Sequence, residues 1–121
     1  MRPARTMNIG VMASALNTLG NVDKLQNRMD AARQHYEQAS GIYRELAQQS
    51  PEAYLPAVAG TLTNLGVVSG LETRFDESRA YSTEALTIYR KLAQENPRKY
   101  ATDVARVEIN LPELEKKTPS R

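Results

Sequence analysis

Leu16-Asn17-Thr18-Leu19-Gly20 returns 46 residues later as Leu62-Thr63-Asn64-Leu65-Gly66. At the same offset Ile42-Tyr43-Arg44-Glu45-Leu46-Ala47-Gln48 returns as Ile88-Tyr89-Arg90-Lys91-Leu92-Ala93-Gln94. Pro51, Tyr54 and Val58-Ala59 map onto Pro97, Tyr100 and Val104-Ala105. Aligned without a gap, residues 16–65 and 62–111 agree at about 21 of 50 positions, well beyond chance similarity. The 121-residue chain therefore holds two full units and the first helix of a third. The units are expected at about 8–53 and 54–99, with a half unit at 100–111.

Each unit reads as a pair of helices. Met12, Leu16 and Leu19 form an apolar stripe at helical spacing, repeated by Val58, Leu62 and Leu65. Gly20 and Gly66 fall inside these helices, where glycine costs about 1 kcal/mol relative to alanine. Their recurrence at one register position points to the close approach of a neighbouring helix. Asn21–Arg28 and Val67–Arg74 are expected to end the first helix and form the turn. Asp30 and Asp76 stand where a first-turn carboxylate faces free N–H groups.

The second helix is expected from about Asp30 to Gln49, and again from about Asp76 to Glu95. Its stripe is Ala32, Tyr36, Ala39, Tyr43 and Leu46 in one copy, and Ser78, Ala85, Ile88, Tyr89 and Leu92 in the other. Ser50-Pro51 and Asn96-Pro97 stop it, and Pro56 fits the first turn of the helix that follows. No segment alternates with period two long enough to make a strand. The fold class is all-α.

Composition narrows the chemistry. Charged residues at 25% and hydrophobic residues at 40% match an ordinary globular domain. With no cysteine and a single histidine, His35, the chain has no thiolate nucleophile and no cysteine or histidine metal cluster. Sixteen basic side chains against 14 acidic ones leave a formal charge of +2, without a basic stripe, with one Phe and no Trp to stack on bases. Nucleic-acid binding is not expected. No stretch is expected to reach the roughly 20 apolar residues of a membrane span. Arg2, Arg5, the run Ile9–Leu16 and Ala13-Ser14-Ala15 have the outline of a secretory leader, but the repeat assigns this stretch to a helix. A cytoplasmic location is the expectation.

The residues Leu62, Leu65, Gly66, Phe75-Asp76-Glu77 and Ala85-Leu86, in that order and spacing, resemble a tetratricopeptide repeat. Leu16, Leu19, Gly20, Ala32, Tyr36 and Ala39 match the same pattern in the first unit. The 46-residue unit is similar to the longer repeats of the kinesin light chain and nephrocystin type. The resemblance covers about residues 8–111. Asp23 and Ser69 depart from it where an aromatic is usual, and in the second copy Ser78 and Ser82 replace an alanine and an aromatic. It implies a right-handed superhelix of antiparallel helix pairs, an α-solenoid of two repeats plus one extra helix. Its concave face, lined by the first helices, would hold a peptide of a partner protein, which is the role of a scaffold or adaptor.

On that register the groove would be lined by Asn17, Asn21 and Lys24 from the first unit. The second would supply Thr63, Asn64 and Val67, and the half unit Arg106, Ile109 and Asn110. Asparagine offers both donor and acceptor to a peptide backbone whatever its sequence; the alternative is that these are solvated polar positions. Some family members clamp a peptide's terminal carboxylate with two lysines, two asparagines and an arginine. Asn21, Asn64 and Arg106 match three of those positions, while Asn17 and Asn110 stand where the two other cations would be. A clamp here would lack two of its three charges.

No phosphate loop, metal motif or nucleophile elbow occurs, so neither an enzyme nor a cofactor is expected. His35 aligns with Tyr81 and reads as a packing residue. Gly66 and Gly70 read as a helix-packing GxxxG. The last helix, about Tyr100–Leu111, carries Glu108 and Arg106 where the second unit has Leu62 and Gly60. Pro112 is expected to end that helix, leaving 112–121 as a disordered charged tail. At the other end Ile9, Val11 and Met12 lack such a polar cap, so the alternative function is a self-assembling module that homodimerises through this end.

Overall fold

Proline lacks a backbone N–H and is pre-set for helix, so it suits the first helical position. Pro51 and Pro97 take that position in two of the five helices among the described residues: α1 (Ala4–Leu25), α2 (Met29–Gln49), α3 (Pro51–Leu71), α4 (Phe75–Glu95) and α5 (Pro97–Lys117). The computed structural model describes residues 4–117, and side chains over residues 8–111. No strand occurs among the described residues. The chain divides into two units, Met1–Thr61 and Leu62–Arg121.

The connections repeat as closely as the helices. The Ser50 N–H donates to Leu46 O, and the Asn96 N–H to Leu92 O, both at 2.9 Å. The Asn96 Oδ1 accepts from the Lys99 N–H at 3.3 Å, capping α5. The turns after α1 and α3 need only three residues. Arg28 N–H donates to Asp23 O and Asn27 N–H to Lys24 O; Arg74 to Ser69 O and Thr73 to Gly70 O repeat the pattern. This double bond pattern closes a helix around one left-handed residue. That residue is Asn27 (φ 60°) in one turn and Thr73 (φ 61°) in the other. The first helices thus persist to Leu25 and Leu71, and the expected turn regions 21–28 and 67–74 contract to 26–28 and 72–74. Asp30 and Asp76 lie in the first turns as expected.

Four other expectations are corrected. The break between units set at residues 53 and 54 falls inside α3, and Pro56 is five residues past the helix start rather than in its first turn. Its missing N–H removes one bond, that to the Glu52 carbonyl, near a helix end where the loss is tolerated. Pro112 likewise does not end α5, which continues to Lys117 through the helix-favouring Glu113-Leu114-Glu115-Lys116-Lys117. Of the tail expected to be disordered, 118–121 lies outside the described residues. Finally, α3 is long and apolar enough to cross a membrane by length and composition. Its Val58, Leu62, Leu65 and Val68 are no more than 2% exposed, the pattern of a helix buried in protein.

In the first unit Gly20 lies against the ring of Tyr36, where an added Cβ would stand 2.5 Å from Cε1. Tyr36, Ala32, Ala39 and Leu46 of α2 are buried with Ala13 of α1. Met12 and Leu19, expected in the stripe, are 54% and 47% exposed, whereas their counterparts Val58 and Leu65 are 2% exposed. The reason is that Met12 and Leu19 lie off the face of α1 that meets its neighbours. The described part of α1 turns Ala13, Gly20 and Asp23 inward and packs on α2. The α3 helix meets α2 through Tyr54 and Tyr43 in the first unit, and α4 through Gly66 and Gly70 in the second.

The second unit repeats the aromatic contact. Tyr43 and Tyr54 have ring centroids 6.4 Å apart, and their counterparts Tyr89 and Tyr100 also 6.4 Å. Such pairs add about 0.5–1.5 kcal/mol beyond area burial. Tyr100 and Val107 of α5 are buried, and Glu108 is exposed, its carboxylate taken by Arg90 at 2.6 Å.

Three substitutions test this account by thermal unfolding. Gly20→Ala should lower stability by about 1–3 kcal/mol, because its methyl group must displace the Tyr36 ring. Gly41→Ala has open space around it and should raise stability by about 1 kcal/mol through helix propensity. Thr73→Gly should also raise stability by about 1 kcal/mol, since a β-branched residue is costly in the left-handed region. Equal effects at the two glycines, or a loss at Thr73, would refute the assigned backbone.

Candidate functional site

In the second unit a recess of about 250 Å³ opens between α3, α4 and α5. Thr63, Gly66, Val67, Gly70 and Leu71 reach it from α3, each one helical turn or less from the next. Phe75, Ser78 and Ser82 close it from α4, and Val107 and Asn110 from α5. Its walls are largely apolar, with hydroxyl and amide groups at particular places, which is how pockets that recognise organic ligands are built.

The sequence-derived groove residues divide around this recess. Thr63, Val67 and Asn110 meet on its wall. Asn64, half-buried, and Arg106, exposed, are not on it. The Arg106 guanidinium lies 3.2 Å from the Asp103 carboxylate on its own helix. Ile109 is exposed. Asn17, Asn21 and Lys24 belong to the first unit and are half-buried there.

Asn21 has a packing task the sequence did not disclose. Its Oδ1 accepts a hydrogen bond from the Tyr36 hydroxyl at 2.5 Å. Burial, and then the nearby Asp23 carboxylate, push that hydroxyl's pKa up, so it stays protonated and donates. Because a buried hydroxyl without a partner is costly, Asn21 supports Tyr36 before it serves any ligand. Asp23 is buried at a position where the family resemblance leads one to expect an aromatic. His35 Nδ1 is 2.6 Å from its carboxylate, and Arg28 lies 3.7 Å away. His35 is thus a partner of a buried acid, in keeping with a packing role. No cluster of three metal-ligating side chains occurs among the described residues.

Sequence reasoning missed Gly70, Ser78 and Ser82 as walls of the recess. The signal was present: Gly66 and Gly70 were legible as a GxxxG, and Ser78 and Ser82 as departures from the repeat. An added Cβ on Gly66 would meet Ser82 Oγ at 2.9 Å, and one on Gly70 would meet Ser78 Oγ at 3.3 Å. Ser78 Oγ donates to the Gly66 carbonyl at 2.7 Å, so the two helices are joined at this floor. Tyr89 stands beside the recess, its hydroxyl raised in pKa by burial and hydrogen-bonded to Thr63.

No curated protein matches the chain. A family model described as tetratricopeptide repeat matches residues 11–91, both helix pairs and well over half of the chain. The recurring helix pairs, the glycine under each second helix and this match agree: the chain belongs to the tetratricopeptide repeat family, whose members are in general protein–protein interaction modules.

Proposed function

We propose that the chain is a non-catalytic adaptor or scaffold module of the cytoplasm, which binds a peptide segment of a partner protein across the recess of its second unit. The observation that supports this reading is the meeting of Thr63, Val67 and Asn110 on one recess with an apolar wall. An extended peptide presents one carbonyl and one N–H per residue, and an exposed amide such as Asn110 pairs with either. Apolar area along the wall supplies the less directional part of the binding. Arg106 is the one cation at a carboxylate-clamp position. Its exposed pair with Asp103 is weak enough for a ligand carboxylate to displace.

The test is a panel of immobilised peptides with free and amidated C-termini. Asn110→Ala should weaken retained peptides about 5–30-fold with helicity unchanged, as loss of one or two hydrogen bonds requires. Arg106→Ala should weaken only peptides with a free C-terminus. Equal loss for free and amidated peptides would remove the clamp, and no loss in either variant would remove the groove reading.

A second reading has its own support. Met12, Leu19, Val22 and Val11 expose an apolar arc of α1 whose counterparts in α3 are largely buried. Exposed apolar area of this kind marks an interaction surface, and homodimerisation through α1 would cover it. Light scattering over a concentration series should then give a mass rising from the monomer toward the dimer, and Leu19→Lys should hold it at the monomer. A constant monomer mass in the unaltered chain would rule this reading out.

A further inference from the structure

The two units carry the same helix pair and differ at the positions that bound the recess. In the first, Tyr36 of α2 lies over Gly20 and reaches along α1 until its hydroxyl meets Asn21 Oδ1. Forty-six residues on, Tyr36 is replaced by Ser82, Gly20 by Gly66 and Asn21 by Val67. Ser82, Gly66 and Val67 all line the 250 Å³ recess. The space that a phenol ring fills in the first unit is therefore bounded, in the second, by a hydroxymethyl group, a bare glycine and a valine. Cavities of about 150 Å³ with apolar walls hold benzene.

We infer that this recess is a receptor for one aromatic side chain of the bound peptide, a phenylalanine benzyl group that takes in the second unit the place Tyr36 takes in the first. The inference rests on the peptide-binding reading above and adds the chemistry of the anchor. Ser82 Oγ lies over Gly66 and Ser78 Oγ over Gly70, where added Cβ atoms would meet them at 2.9 and 3.3 Å, so short side chains floor the recess and leave its volume to the ring. Val67 determines the choice between benzyl and phenol. Where Asn21 accepts the hydroxyl of Tyr36, Val67 presents methyl groups, so a phenol there has no equivalent acceptor while a benzyl group gains apolar contact. Thr63 and Asn110 stand at the same recess, on the helices that would flank the backbone of the peptide bearing that ring.

The probes are N-acetyl-phenylalaninamide, its tyrosine and leucine analogues, and backbone amide chemical shifts of the full chain. The phenylalanine probe should give saturable shifts at Gly66, Val67 and Gly70, with affinity at least fivefold above the tyrosine and leucine probes. Ser82→Phe fills the recess from within and should abolish those shifts. Val67→Asn, at a partly exposed position that leaves the core intact, recreates the first unit's acceptor and should turn the preference toward tyrosine. Absence of saturable shifts overturns the inference, as does binding unchanged by Ser82→Phe or an unaltered preference in Val67→Asn. A phenylalanine-free peptide bound at the recess while the phenylalanine probe is silent overturns the anchor but leaves the groove reading standing. A saturating probe with no peptide retained supports the pocket and removes the groove reading.

Discussion

The contact between a first-helix glycine and the second-helix residue opposite it governs how each helix pair closes. With a Cβ at position 20, the Tyr36 ring would have an atom 2.5 Å away, so α2 could not lie where it does. Glycine in mid-helix is unfavourable by itself, and here the loss is offset by burial of a whole aromatic ring with its hydroxyl satisfied by Asn21. The three-residue turn follows from the same proximity. Two helices this close at their ends are joined by the shortest connector that reverses direction, and one left-handed residue, Asn27 or Thr73, makes that reversal.

Which residues become core depends on how many sides of a helix are occupied. The α3 helix, apolar nearly all round, has contacts with α2 in the first unit and α4 in the second, and buries valine and leucine on several faces. The α1 helix carries equivalent residues and leaves Met12 and Leu19 half in solvent. At α5 the corresponding change is in the sequence itself, where Glu108 replaces a leucine and pairs with Arg90. The two ends of the repeat therefore differ in chemistry, one wet by substitution and one still apolar.

Much of the fold was legible because an offset of 46 makes each unit a check on the other. Helix pairs, the proline boundaries, the glycine contacts and the Tyr43–Tyr54 and Tyr89–Tyr100 pairs are all repeat-symmetric. What symmetry does not reveal is how far a helix persists. Residues 21–25 and 67–71 are helical in both units, each helix closing only at the left-handed Asn27 or Thr73, residue types that do not announce such a turn as glycine would. Burial at Met12 and Leu19 was unreadable for a related reason, since a stripe has the same pattern whether or not something covers it. Thr63, Val67 and Asn110 emerged from the repeat register, yet Asn21 shared that register and packs on Tyr36 instead. Register places a side chain on a face, and only the opposing helix decides whether that face is already filled.

That distinction explains why the departures from the repeat are the informative positions. Where both copies agree, selection of a shape for packing accounts for the residue, as with Gly20 and Gly66 beneath their second helices. Where they differ, one copy shows what fits and the other shows what has been left out. Tyr36 and Asn21 make a closed, hydrogen-bonded contact in the first unit, whereas Ser82 and Val67 line an open recess in the second, with Gly70 where the first unit has Lys24. Each change removes bulk or a polar group from the same wall. A packed interior has few voids, so three such changes converging on one place amount to a cavity with a defined shape. The first unit supplies the template for what that shape accepts.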